Sequence, residues 1–273
     1  MKKWLIAFAL LFSTGSVWST EPIPASTPEN SDAITIWLAR HGETWLNRFG
    51  HAQGWADTPL TAEGKETTRY LGEGLKGIPF DSFYTSDAGR QRETMQIVIK
   101  QAGLQASQVR ELTGLREVFF GSFEGTPDEV MQDAGARKMG LSGRDGLFAQ
   151  LKAGAFSIDR YIDGIAAADP QGYAENFSQV KSRTQQALHT IIANAKQNGE
   201  KNVLVVSSGM ALMVMISDLT DDPRKNHPLA NAAVIKMTYQ NGKFNVTELG
   251  TQRYINEGKR ALDKNSARQA KTL

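Results

Sequence analysis

Cysteine is absent from the 273 residues. That excludes a disulfide, a thiolate metal site, a cysteine nucleophile and a lipid-anchoring cysteine. Histidine is scarce: the chain has four, none in a His-Glu-x-x-His or similar ligand spacing, so neither a metal nor a cofactor is suggested. No internal repeat is visible. Charge of one sign does not dominate either, with 31 Lys and Arg against 29 acids. Long hydrophobic runs are also missing, and the N-terminal apolar stretch, Trp4 to Phe12, is too short to span a bilayer comfortably.

That stretch has another meaning. Lys2 and Lys3 precede it, small residues follow it, and Val17 and Ser19 stand as a cleavage signal before Thr20. Residues 1–19 are therefore predicted to be a signal peptide, with an uncleaved membrane anchor as the alternative. The expected location is periplasmic or secreted, with no membrane span after cleavage. Removing residues 1–19 takes away two Lys and no acid, so the formal charge falls from +2 to 0, which suggests no nucleic-acid partner. Residues 20–32, rich in Pro, Ser and Thr, read as a flexible lead-in.

Strand-like and helix-like segments then alternate, which argues for an α/β fold. The expected form is three-layered: a mostly parallel central sheet, helices on both faces and a helical cap insertion. Strands are predicted at Ala33 to Arg40 and Phe80 to Thr85, with a helix from Thr61 to Leu75 between them. Ser86 or Asp87 is expected to cap the next helix, stopped by Gly103. Residues 121–173, rich in Gly and polar side chains, read as the insertion. Within it, Thr126-Pro127-Asp128-Glu129 has capping-box spacing with Pro at the first helical position. Asn176 to Asn198 has an amphipathic period, and Asn202 to Ser207 reads as a strand buried on both faces. Asn241-Gly242 marks a hairpin. The domain spans residues 33–250. The tail, residues 251–273, carries six Lys or Arg against two acids from Arg253 onward; a solvated, frayed end is expected, with contact to an anionic surface as the alternative.

Four polar clusters sit at strand exits, where α/β sheets build their sites. Arg40-His41-Gly42-Glu43-Thr44 follows the first strand. An imidazole can attack phosphorus and a neighbouring Arg can clamp phosphoryl oxygens; the alternative is a strand-ending salt bridge with an incidental His. Arg90 falls in the first turn of the helix after the second strand, where the dipole favours an anion; pairing with Glu93 or Glu66 is the alternative. Glu117 stands beside apolar residues in Leu115 to Gly121, which suits it to proton donation; a salt bridge with Arg116 competes with that role. Ser207-Ser208-Gly209 ends the most apolar strand.

Together these pieces resemble the histidine phosphatase superfamily, in the branch of the cofactor-dependent phosphoglycerate mutases and related phosphatases. The resemblance rests on Leu38 to Thr44 with Asn47, Gly54 to Gly64, Thr85 to Thr94, and Glu117 with Gly121 to Gly125, and runs from about Ala33 to Leu249. It implies that His41 becomes a phosphohistidine, that Arg40 and Arg90 hold the phosphoryl oxygens with Asn47 as a further donor, and that Glu117 protonates the leaving oxygen. It also implies a second His where this chain has Ser208. A Ser hydroxyl still donates one hydrogen bond to phosphate, but carries no charge.

The expected function is an exported phosphomonoesterase acting on a phosphorylated small molecule or envelope component through His41. Export argues against a mutase of cytosolic intermediates. The alternative is a weak or inactive phospho-ligand-binding protein, because of Ser208. A structural envelope protein would leave the four clusters unexplained. Of the other histidines, His51 reads as a solvated loop residue, His189 as a helix-rim residue and His227 as a structural loop residue. Met210, Met213 and Met215 read as core.

Overall fold

The computed structural model describes residues 32–105 and 108–269. The expected signal peptide and the part of the lead-in before Asp32 lie outside the described residues. The chain runs through β1 (Ile34–Arg40), the short α1 (Trp45–Phe49), α2 (Ala62–Gly74), β2 (Ser82–Thr85), α3 (Gly89–Ala102) and β3 (Val109–Glu111). It continues through α4 (Asp128–Lys138), α5 (Arg144–Lys152), α6 (Ile158–Ala168), α7 (Phe177–Asn198), β4 (Asn202–Ser207) and α8 (Gly209–Met215). A hairpin of β5 (Val234–Gln240) and β6 (Lys243–Thr251) leads into α9 (Arg253–Gln269).

Among the described residues these strands form one sheet, in the order β3-β2-β4-β1-β5-β6. β1, β2, β3 and β4 run parallel, while β5 and β6 close one edge antiparallel. β4 lies between β1 and β2, and Val203 to Val206 are wholly buried, as a continuous apolar strand requires. The two faces follow the pleat. Ile36, Leu38, Val203 and Val205 pack under the face covered by α7 and α8, with α4 and α6 beyond them. Trp37, Ala39, Leu204 and Val206 pack against α2, α3 and α9. The fold is therefore a three-layer α/β sandwich, and the helical cap at residues 121–173 comprises α4, α5 and α6.

Local chemistry explains most boundaries. Thr61 Oγ1 accepts the Gly64 N–H at 2.9 Å and starts α2. Asn176 and Gln179 form a reciprocal capping box at the start of α7, and Gly199 in the left-handed region ends it. Asn241 (φ 50) and Gly242 (φ 80) give the hairpin its left-handed turn.

β3, three residues long, shows no readable period and is absent from the expected strands. Three expectations are corrected. α3 begins at Gly89, after Ala88, with no local side-chain cap; Ser86 Oγ instead accepts the Ala88 N–H at 3.1 Å and Asp87 turns to Arg116. Pro127 precedes α4 as its cap residue instead of opening it, and Thr126 Oγ1 donates to the Phe123 carbonyl at 2.8 Å. The tail is not frayed over residues 253–269. α9 lies across α2 so closely that a Cβ on Gly258 would sit 1.9 Å from the Tyr70 carbonyl oxygen. Tyr254 is buried, and its hydroxyl accepts the Trp37 indole N–H at 3.1 Å. Tyr254, Ile255 and Gly258 form the contact stripe that the basic composition hides.

Gly258→Leu should therefore lower stability by about 1–3 kcal/mol through overpacking. Lys264→Ala, on the exposed side, should stay within about 0.5 kcal/mol. Urea denaturation midpoints check both.

Candidate active site

The ends of β1 and β4 meet at His41. Its N–H donates to the Ser207 carbonyl at 3.0 Å, continuing the parallel register. Its own carbonyl accepts the Ala232 N–H and the Asn231 Nδ2 group, both at 3.2 Å. Ala232 holds φ 58 to do so, a left-handed conformation costing a non-glycine residue roughly 1–2 kcal/mol. Gly42 lets β1 end here: a Cβ would meet Thr68 Oγ1 at 2.5 Å and the Gly64 carbonyl oxygen at 2.9 Å.

His41 is 2% exposed, and its Nδ1 lies 2.8 Å from the Gly42 carbonyl oxygen. A carbonyl only accepts, so Nδ1 carries the proton and Nε2 carries the lone pair. Burial first, then the charges of Arg90 and Arg40, hold the imidazole pKa well below its usual 6.5. The ring is neutral and its free nitrogen is a nucleophile.

Two guanidinium groups face this ring. Arg40 Nη1 donates to the Leu229 carbonyl at 2.6 Å. Arg90 is completely buried; its Nη1 donates to Ala56 O at 3.0 Å and Asp57 Oδ1 at 2.9 Å, and its Nη2 to Gly54 O at 2.7 Å. Asp57 thus takes the place of Glu93 and Glu66 as its acidic partner. In both arginines Nε is buried without a protein partner. An unmet buried donor costs about 1–3 kcal/mol, and two of them beside a neutral imidazole call for an anion.

Glu117 does not pair with Arg116, which is bound to Asp87 instead. Its Oε1 accepts from Val118 N at 3.0 Å and Ala211 N at 2.8 Å; its Oε2 accepts from Met210 N at 3.1 Å. Arg183 of α7 fixes the backbone of this segment, donating to the Arg116 carbonyl at 2.7 Å and the Glu117 carbonyl at 2.8 Å. Glu124 ties the next loop down. It accepts the N–H groups of Gly54 at 3.1 Å, Trp55 at 2.8 Å, Ala56 at 2.8 Å and Phe120 at 2.9 Å. Three backbone amides of the loop whose carbonyls hold Arg90 are therefore tied to this one carboxylate.

Ser208 is fully buried at the start of α8. Its Oγ accepts from Gln91 Nε2 at 2.8 Å and Arg90 Nη2 at 3.3 Å. Both lone pairs are engaged, so its one hydrogen is free to donate.

Arg40, Asn47 and Glu117 line a cavity of ≈ 310 Å³ under the cap, while His41, Arg90 and Ser208 are buried behind its lining. Asn47 Oδ1 lies near Thr44 N at 3.4 Å and accepts from Asn231 Nδ2 at 3.2 Å, which leaves its NH₂ end for the cavity. His51, a partly exposed loop residue, also approaches the site: it lines the same cavity, with Nδ1 donating to the Gly125 carbonyl at 2.8 Å. Phe120, Met131, Leu147, Phe156 and Met210 give the remaining wall an apolar character, and Asp128 and Tyr161 add polar groups at the cap. His189 stays at the helix rim with its ring 5.9 Å from Phe244. His227 borders a separate open cleft of ≈ 490 Å³ beside β6 that holds none of the four clusters. Met213 and Met215 are core, and Met210 reaches the cavity. Reasoning from the sequence missed Gln91, Asn231, Asp57 and Asp128. Asp57 and Gln91 stood in the Gly54 to Gly64 and Thr85 to Thr94 segments without a role, Asp128 read as a helix start, and Asn231 stood in no motif.

Fold and site together define an α/β protein with two buried guanidinium groups beside a buried, neutral imidazole at the strand exits. The chain belongs to the histidine phosphatase superfamily (branch 1), which matches residues 36–146 and 157–252. A phosphoglycerate mutase from Bacillus anthracis (strain Sterne) is similar in structure, with TM-score 0.78 and 36% identity, covering 84% of this chain and 98% of that one. A broad-specificity phosphatase of Saccharomyces cerevisiae is 24% identical over 236 residues, 84% of this chain and 91% of its own. The α-ribazole phosphatase of Shigella flexneri shares the fold, at 23% identity and TM-score 0.59 over 80% of this chain and 96% of its own.

The neutral His41 has a thermodynamic consequence. As pH falls through 6.5, the unfolded chain takes up a proton at this residue and the folded chain does not. Its contribution to stability is therefore full above the usual value and lost on acidification. Between about pH 7.5 and about pH 5, the urea midpoint of the parent should fall further than that of His41→Gln. Equal falls would mean that the folded imidazole takes up protons normally.

Proposed function

We propose that the protein is a phosphomonoesterase that works through a phosphohistidine on His41. One observation carries this reading: the His41 lone pair lies on Nε2, beside two buried guanidinium groups whose Nε donors have no partner. In this mechanism Nε2 attacks phosphorus and the bond to the alcohol oxygen breaks. Glu117 hands a proton to the departing oxygen; its Oε2, which accepts one N–H against two at Oε1, has room to carry it. Arg40, Arg90, Asn47 and Ser208 hold the phosphoryl oxygens as charge spreads over them. Water then attacks the phosphohistidine and loses its proton to Glu117. Phosphate leaves, and the imidazole and the acid are both restored.

Hydrolysis fits the cavity better than transfer between hydroxyls of a phosphoglycerate. A second acidic group on the substrate would need its own cations. Beyond Arg40 the cavity lining holds no Lys or Arg, and it carries the carboxylates of Glu117 and Asp128. Export to the periplasm or medium is part of the proposal and rests on Lys2-Lys3, the apolar Trp4 to Phe12 and the small residues before Thr20. N-terminal sequencing of protein recovered outside the cytoplasm should begin at Thr20, and an intact Met1 would contradict cleavage.

A second reading, phospho-ligand binding without turnover, is favoured by Ser208, uncharged where the family resemblance places a second His. Loss of one transition-state donor costs about 10²–10³ in rate. One experiment separates the two. The parent should hydrolyse an aryl phosphate, and His41→Ala should reduce the rate by about 10³ or more. Ser208→His alone would press an imidazole into the Gln91 amide, 2.8 Å from Ser208 Oγ. The fair comparison is therefore Ser208→His with Gln91→Ala. An inactive parent together with an active double variant would establish the binding reading.

A further inference from the structure

We propose that the cap end of the cavity binds an alkylated ammonium group, so that the substrate is a phosphomonoester whose alcohol carries that cation. The inference rests on the phosphomonoesterase reading and names its substrate class. It starts from Asp128, the first residue of α4, half-buried on the cavity wall. Among the described residues its carboxylate accepts no hydrogen bond and makes no ion pair. Burial accordingly pushes its pKa up.

The basic groups that face Asp128 are His51, Arg144 and Arg40, and each has other work. His51 donates its Nδ1–H to the Gly125 carbonyl at 2.8 Å. Arg144 donates Nε to Gln132 Oε1 at 2.9 Å and lies over the Phe148 ring, 5.0 Å from its centroid. Arg40 is held by the Leu229 carbonyl and faces the anion cradle. The carboxylate is left for a ligand.

The surroundings define what kind of ligand. Phe120, Phe148, Phe156 and Tyr161 line the cavity with Asp128, and the Phe156 and Tyr161 rings stand 5.5 Å apart at 58°. Aromatic faces attract cations, most strongly when the cation is poorly hydrated. A primary ammonium must give up strong hydration, and most of this wall is aromatic and aliphatic. An alkylated ammonium needs apolar contact and one counter-charge, and the wall supplies both. A phosphate on Arg40 and Arg90 and a cation at Asp128 would place both charges of a zwitterionic substrate against complementary groups. A neutral apolar alcohol would bury Asp128 unpaired, at a cost. The ≈ 310 Å³ volume lies at the small end of ligand pockets.

The test compares choline phosphate with neohexyl phosphate, its uncharged carbon isostere, in the parent and in Asp128→Asn. The parent should favour choline phosphate by about tenfold or more in kcat/KM, and Asp128→Asn should reduce the ratio to within about threefold. The ratio within each enzyme is read, so a general loss of activity in the variant does not disturb it. No preference in the parent overturns the inference. So does a preference that survives Asp128→Asn, and so does hydrolysis of an aryl phosphate with neither ester accepted. If no phosphate ester is turned over, the phosphomonoesterase reading fails by itself. Calorimetric Kd values for the two esters then carry the same expected ratio, and equal values overturn the ammonium site.

Discussion

The hydrogen bond from His41 Nδ1 to the Gly42 carbonyl is the constraint on which the site depends, because it decides which ring nitrogen faces outward. Much of the surrounding backbone serves to keep it. Gly42 has no Cβ to push β1 away from α2, and its N–H is held by Thr94 Oγ1 at 3.0 Å. The His41 carbonyl is taken by Ala232 and Asn231, so it cannot compete for the ring. Burial then does the rest: a charged imidazole there would lose its water and face two guanidinium groups.

Those guanidinium groups raise the opposite problem. A buried cation needs replacement for its hydration, and Arg90 finds it in backbone carbonyls and in Asp57. The replacement is incomplete at Nε. Positive charge is thus stabilised enough to fold, while one donor on each guanidinium is left without a partner. Fold stability and anion affinity are set against each other at the same atoms.

What was legible in the sequence was local. His41 and Arg40 could be placed because a buried strand ending in a polar cluster is written in consecutive residues. Asn241-Gly242 and the amphipathic run from Asn176 to Asn198 were readable for the same reason. What was not legible depends on partners far along the chain. Asp57 stands 33 residues from Arg90, and Asn231 lies 190 residues from His41. Gln91 reads as an ordinary helix residue until Ser208, 117 positions away, is seen to receive its amide. In α9 the basic residues dominate the composition, while docking is decided by Tyr254 and by a glycine where two backbones nearly touch. Asp128 shows a further limit: residue type and position gave a helix start, but only the cavity shows that its carboxylate is unpaired.

Glu124 gathers four backbone amides, three from the 54–56 loop and one from Phe120. It acts as a strut between two regions that sequence distance would leave independent. The carbonyls of Gly54 and Ala56, on the other side of those peptides, aim Arg90. A tilt of the cap's first turn therefore turns the loop with it and redirects the guanidinium. The start of the cap and the backbone that aims Arg90 are thereby joined mechanically through a residue that does not line the cavity.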